Sequence, residues 1–138
     1  LSPYEEVNIM FKISFNKHKD FLVLRDFINN FIRSVLKDNS TTMVVAFNEA
    51  INNVLENNSD LSNEVFIKFT ILKERRLIIR IKHSGQVFNG NKYLQTVNRY
   101  AFDHEAESGR GIFLMKTLTD YMTYNKTGTE VLLMKKII

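Results

Sequence analysis

The most informative segment of the chain is Phe47-Asn48-Glu49-Ala50-Ile51-Asn52-Asn53-Val54. Its apolar residues recur at intervals of three and four, which predicts an amphipathic helix with one face in the core. Glu49 and Asn53 are four residues apart, so they share a face beside the apolar stripe, one turn from each other. A carboxylate and a carboxamide in this arrangement can supply a general base and an oxygen ligand for Mg²⁺, although a solvated helix face has the same pattern.

Hydrophobic periodicity predicts the elements on either side of this helix. Residues Val7 to Phe15 are rich in β-forming side chains and predict a strand, and the apolar repeat from Asp20 to Leu36 predicts an amphipathic helix. Glu64 to Leu72 and Leu77 to His83 both alternate, which is typical of a β-hairpin. Residues 84–108 are polar and poorly periodic, so we expect a long loop or lid there.

The remaining elements complete a mixed fold. Gly109-Arg110-Gly111 begins a predicted helix that extends to about Met122, and two short strands follow, the second from Thr129 to Lys136. The order strand, helix, helix, strand, strand, lid, helix, strand, strand predicts an α+β fold. We expect a two-layer sandwich in which helices cover one face of a mixed, mostly antiparallel sheet. One domain spans residues 1–138, and fusion to further domains in a longer protein remains open.

Composition and charge limit the classes of function. The 138 residues include 19 Lys+Arg and 15 Asp+Glu, a formal charge of +4, and the basic residues are spread along the chain, some of them beside acids, as in residues 73–76. This pattern predicts a solvated mixed-charge surface rather than direct binding of nucleic acid. The chain has no cysteine, which excludes disulfides and thiolate chemistry. It has no apolar run of about 20 residues and no signal-peptide pattern, so we expect a cytoplasmic protein without a membrane segment.

Two glycine-containing stretches could approach a ligand closely. Gly85 follows the predicted strand that ends at His83, and a glycine at such a place lets a ligand or another backbone come near. Gly109 and Gly111 open a helix whose N–H groups, together with Arg110, could bind a phosphate. A plain turn and a flexible hinge are the alternatives that these short patterns leave open.

These stretches, in this order, resemble the nucleotide-binding family that unites gyrase, the heat-shock ATPase, histidine kinases and the mismatch-repair ATPase. More narrowly, nearly the whole chain resembles the anti-sigma-factor, switch-protein serine kinases of bacteria. The stretch 47–54 matches the family's N box, and the resemblance implies that Glu49 is the catalytic base and that Asn53 holds Mg²⁺. The cofactor-binding residues that the resemblance implies for ATP are Asn53, His83, Gly85, Ser108, Gly109, Arg110, Gly111, Ile112 and Thr129.

One position departs from the family's pattern. The first glycine box normally reads Asp-x-Gly, and its aspartate accepts a hydrogen bond from the adenine amino group, whereas this chain has His83 two residues before Gly85. A neutral imidazole can also accept one hydrogen bond, but without the charge of a carboxylate. The loss of a charge-assisted bond is worth about 1.5–3 kcal/mol, or roughly ten- to a hundredfold in affinity.

The resemblance therefore implies two alternative functions. The first is an ATP- and Mg²⁺-dependent serine protein kinase that phosphorylates a small anti-anti-sigma (STAS-like) partner and also binds a sigma factor. The second is a degenerate nucleotide-binding fold that acts as a protein-binding regulatory module with weak or no ATP binding. The ATP-binding half of a histidine kinase is a third interpretation, disfavoured because no phospho-acceptor helix precedes it in this chain. A homodimer formed through the apolar first strand and helix is a further expectation.

Overall fold

Three helices and five strands occur in the part of the chain that the structure describes. The computed structural model describes residues 7–57, 64–73, 75–84, 90–91 and 107–137. In chain order the elements are β1 (Val7–Phe15), α1 (His18–Leu36), a 3₁₀ turn (Lys37–Asn39), α2 (Ser40–Asn57), β2 (Val65–Leu72), β3 (Arg76–His83), α3 (Glu107–Leu118), β4 (Tyr121–Tyr124) and β5 (Glu130–Lys136). Most of the predicted lid lies outside the described residues. None of the described helices is long and apolar enough to cross a membrane.

The strands form one sheet with the order β1-β2-β3-β5-β4. Every neighbouring pair in it is antiparallel. Helix α1 packs against β1 and α2, and α2 packs against β3, β5 and α3, so the helices form a second layer on one side. The predicted two-layer α+β sandwich is confirmed. β1 and β4 are the edge strands of the described sheet.

A cluster of aromatic rings joins the two layers. Phe69, on β2, is 1% exposed, and its side chain lies on the face of the sheet that the helices cover. Its ring stacks on Phe11 of β1 at a centroid distance of 4.6 Å and meets the ring of Phe31 of α1 edge to face at 5.5 Å. The ring of Phe47, which begins the N-box stretch on α2, lies 6.3 Å away. The rings therefore fix the position of α2, and with it the site residues that α2 carries.

The predicted extent of the last helix was wrong at its C-terminal end. The helix ends at Leu118, and Met122 belongs to β4, where it is paired with Leu133 of β5. The backbone N–H of Asp120 donates a hydrogen bond to the carbonyl oxygen of Met134 at 2.9 Å, so strand pairing has already begun there. An apolar residue at this spacing fits a helix and a short strand equally well, and the available partner strand decides between them.

Replacement of Phe69 tests whether the aromatic cluster holds the layers together. We expect Phe69→Ala to lower the free energy of unfolding by about 3–5 kcal/mol, because it removes a large, fully buried side chain. Phe66 lies on the same strand but on the opposite side of the sheet and is 47% exposed, so Phe66→Ala should cost less than about 1 kcal/mol. Urea denaturation followed by circular dichroism measures both. Equal losses would contradict the role given to Phe69.

Candidate functional site

Glu49 and Gly111 are brought together by the packing of α2 against α3. Gly111 lies in the helix, and a Cβ atom built on it would be only 3.2 Å from the carboxylate oxygen Oε2 of Glu49. Since this distance is tighter than an ordinary contact, a larger residue would press on the carboxylate. The absence of a side chain at Gly111 therefore leaves room for the half-buried carboxylate of Glu49 beside the N-terminal half of α3.

Asn53 lies one turn after Glu49 on α2 and contacts the end of β4. Its side chain lies beside the hydroxyl of Tyr124, a buried residue, and interacts with it. Burial raises the pKa of Tyr124 well above its ordinary value, and the interaction with Asn53 opposes this shift more weakly, so the hydroxyl stays protonated at neutral pH. The carboxamide oxygen is the atom of Asn53 that can ligate a cation.

Two residues that the sequence analysis did not assign to the site support Tyr124. Gly90 is buried, and a Cβ atom on it would lie 2.5 Å from the Tyr124 ring, so the backbone packs directly on that ring. The Asn91 side chain donates to the Tyr124 carbonyl oxygen at 2.7 Å and accepts from the Tyr124 backbone N–H at 3.0 Å. The chain entering the predicted lid is thus attached to β4. An isolated glycine followed by asparagine in a polar stretch was the signal available in the sequence.

His83 and Thr129 also lie together. The backbone N–H of His83 donates to the carbonyl oxygen of Thr129 at 2.9 Å. The imidazole is 6% exposed and forms a hydrogen bond with the backbone of Gly128, whose φ of 72° is favourable only for glycine. Burial lowers the pKa of His83, with the Gly128 bond opposing this more weakly, so the imidazole is neutral at pH 7.

These two groups of residues occupy the same end of the sheet. β3 ends at His83, β4 ends at Tyr124, and β5 begins one residue after Thr129. Tyr124 is paired with Val131, two residues from Thr129, so the strand ends that carry these residues are neighbours. Asn53 reaches the same end through Tyr124. The structure therefore places Glu49, Asn53, Gly111, His83 and Thr129 around one end of the sandwich.

The other predicted site residues are placed less completely. Gly85 lies outside the described residues. Ser108, Gly109 and Arg110 are in the first turn of α3, which begins two residues earlier than predicted. Backbone N–H groups in the first turn of an α-helix have no acceptor within the helix and can face a phosphate. The Ile112 side chain is 2% exposed and belongs to the core, so only its backbone could take part in binding.

The fold, an antiparallel sheet with helices on one face, is that of a histidine kinase-like ATPase domain. A family model described as the histidine kinase-like ATPase domain matches residues 20–135. The chain therefore belongs to the histidine kinase-like ATPase domain family. No curated protein matches the chain significantly. Family membership supports ATP binding, usually with Mg²⁺, and the chemistry of Asn53 agrees, because a carboxamide oxygen is a ligand that suits Mg²⁺.

The buried imidazole of His83 should make stability depend on pH. Its pKa is lower in the folded state than the ordinary value of 6.5, so the unfolded chain binds more protons just below that pH. The stability contributed by the neutral imidazole is present above about pH 6.5 and should be lost as the pH falls below it. We expect the melting temperature to fall between pH 7.5 and 5.5, and to fall less in His83→Gln. Equal decreases in the two proteins would show that His83 is not the group responsible.

Proposed function

We propose that the chain is an ATP- and Mg²⁺-dependent serine protein kinase of the anti-sigma-factor type. Its substrate is the hydroxyl of a small anti-anti-sigma (STAS-like) protein, and a sigma factor is a second partner. The observation that carries the proposal is the approach of the Glu49 carboxylate to Gly111 on α3. It sets a candidate general base beside the helix that offers N–H groups to phosphates, the arrangement that transfer of a phosphoryl group to a hydroxyl requires.

In this proposal each residue has one task. Glu49 accepts the proton of the partner's hydroxyl as that oxygen attacks the terminal phosphorus of ATP, while the bond from that phosphorus to the bridging oxygen breaks and ADP leaves. Asn53 would hold Mg²⁺ through its carboxamide oxygen, and its side chain lies beside the Tyr124 hydroxyl. The backbone N–H groups at the start of α3, up to that of Gly109, stabilise the charge that develops on the transferred group, because those of Arg110 and Gly111 donate within the helix. When bound, Mg²⁺ neutralises negative charge on the phosphates.

His83 and Thr129 form the adenine end of the proposed site. A neutral imidazole has one N–H and one lone pair, and the bond to the Gly128 backbone, which favours protonation of the ring, uses the N–H. The lone pair is the acceptor that His83 can offer to the adenine amino group. Burial of the imidazole strengthens such a bond, but the bond lacks the negative charge of the family's aspartate.

A protein-binding regulatory module with weak or no ATP binding is the second candidate function. His83 favours this second function, because it replaces the aspartate that accepts a hydrogen bond from adenine in the family. An apolar surface on the β1 and α1 side of the molecule also supports binding of a protein: Ile9 is 49%, Val23 80% and Phe27 58% exposed. The two candidate functions differ in whether the chain binds ATP tightly, and titration with ATP distinguishes them.

Removal of the Glu49 carboxylate tests the proposed base. We expect Glu49→Gln to slow phosphoryl transfer to an anti-anti-sigma protein by at least about a hundredfold, while ATP affinity changes by less than about threefold. The control is Glu56→Gln, an exposed position further along the same helix, which should behave as the wild type. Transfer of radiolabelled phosphate and calorimetric titration with ATP give the two values. Loss of transfer and ATP binding together would instead give Glu49 a structural role.

Restoration of the family's aspartate tests the adenine end. We expect His83→Asp to raise the affinity for ATP-Mg²⁺ by roughly ten- to a hundredfold, because the hydrogen bond to adenine gains a charge. Titration calorimetry on both proteins measures the change, and a melting curve shows whether the variant is folded. Unchanged affinity in a folded variant would mean that position 83 does not contact adenine. Absence of binding to the wild type at millimolar ATP would exclude the kinase and leave the regulatory module.

A further inference from the structure

Cationic side chains gather on the side of the sheet that faces away from the helices. Strand register places Lys12 of β1 opposite Lys68 of β2, and Lys68 opposite Arg80 of β3, so three cations form one row across three strands. In the next row Phe66 is opposite Lys82. We call these five residues the cationic face. They are scattered over 71 positions of the sequence, and only the sheet brings them together.

The side chains of the cationic face are accessible. Lys12 and Lys82 are exposed, and Lys68 and Arg80 are half-buried. The ring of Phe66 is 47% exposed between these cations, although most large apolar side chains on the described strands are buried. None of the four cations forms an ion pair in the part of the chain that the structure describes.

Such an arrangement is unfavourable for the isolated domain. Like charges directly opposite each other on neighbouring strands repel, and an exposed aromatic ring loses the benefit of burial. Two acidic residues flank the cationic face. Glu130 of β5 lies opposite Lys82 in the strand register, and Glu64 precedes Phe66 by two residues. Four cations against two acids leave an excess of positive charge. A bound partner with carboxylates and an apolar side chain would remove both sources of instability.

We propose that the cationic face binds an acidic helix of a partner protein. Neighbouring strands are about 4.8 Å apart, so the row from Lys12 to Arg80 covers about 10 Å. Seven residues of an α-helix rise about 10.5 Å, so carboxylates at positions i, i+4 and i+7 of a helix lying across the strands face the three cations. An apolar residue next to that row then contacts Phe66. Single-stranded nucleic acid is less suitable, because successive bases stack on several aromatic rings, whereas the cationic face has one.

Binding at this face is independent of the proposed nucleotide site. Glu49 and Gly111 belong to the helical layer, and the cationic face is on the other side of the sheet. Failure of ATP to bind would therefore not affect the docking proposal, and failure of docking would not affect the kinase proposal.

The probe is a fluorescein-labelled alanine-based helical peptide with glutamates at i, i+4 and i+7 and one adjacent leucine, measured by anisotropy. Lys12→Glu with Lys82→Glu, at two exposed positions, is expected to weaken binding at least about tenfold. The matched control is Lys19→Glu with Arg25→Glu, at two exposed positions of α1, which changes net charge by the same amount. It should bind the peptide as the wild type does. Both variants should keep wild-type ATP binding and melting temperature.

A second pair of variants and a second probe make the test decisive. Lys68→Gln with Arg80→Gln removes the two half-buried cations without reversing charge, and it should also weaken peptide binding. If the α1 control lost peptide affinity equally, the effect would depend on net charge alone, and the proposal would be overturned. No binding of the peptide by the wild-type chain at low salt would overturn it as well. Tighter binding of labelled oligothymidine, in competition with the peptide, would identify nucleic acid as the occupant instead.

Discussion

The close packing of α2 against α3 at Gly111 is the constraint on which the site depends. The residue of α3 that faces Glu49 has no side chain. A Cβ atom at Gly111 would lie 3.2 Å from Glu49 Oε2, closer than an ordinary contact, so a larger residue would displace the carboxylate. The aromatic cluster around Phe69 holds α2 on the sheet from the other side. Core packing and site geometry are therefore set by the same helix.

The sheet separates two surfaces of different chemistry. On the helical side, His83, Tyr124 and Thr129 lie at one end of three neighbouring strands, where His83 is hydrogen-bonded to Gly128 and Thr129 and Tyr124 lies beside Asn53. On the other side, alternate residues of β1, β2 and β3 place four cations and one aromatic ring on a common surface. Because side chains alternate between the two faces of a strand, one short segment such as β3 contributes His83 to the first surface and Arg80 to the second.

Much of the architecture could be predicted from the sequence because its signals are local. The apolar repeats of α1 and α2 and the alternation of the β2–β3 hairpin are patterns within single segments, and all were confirmed. The N-box pair was placed on one helix face by its four-residue spacing. The prediction was wrong at Met122, where the spacing of apolar residues fits both a helix and a strand. It also did not find Gly90 and Asn91, because they contact Tyr124, which is more than thirty residues away in the sequence.

Residue spacing was enough to predict the amphipathic helices, the hairpin and the common face of Glu49 and Asn53, and the sequence also shows His83 in place of the family's aspartate. The first three features depend on spacing along one segment, which the backbone geometry of helices and strands converts directly into position. Only the folded chain shows that Glu49 faces Gly111, that Asn53 lies beside Tyr124, and that four distant cations share one surface. Such contacts depend on strand order and register, which arise from packing between segments rather than from any one of them.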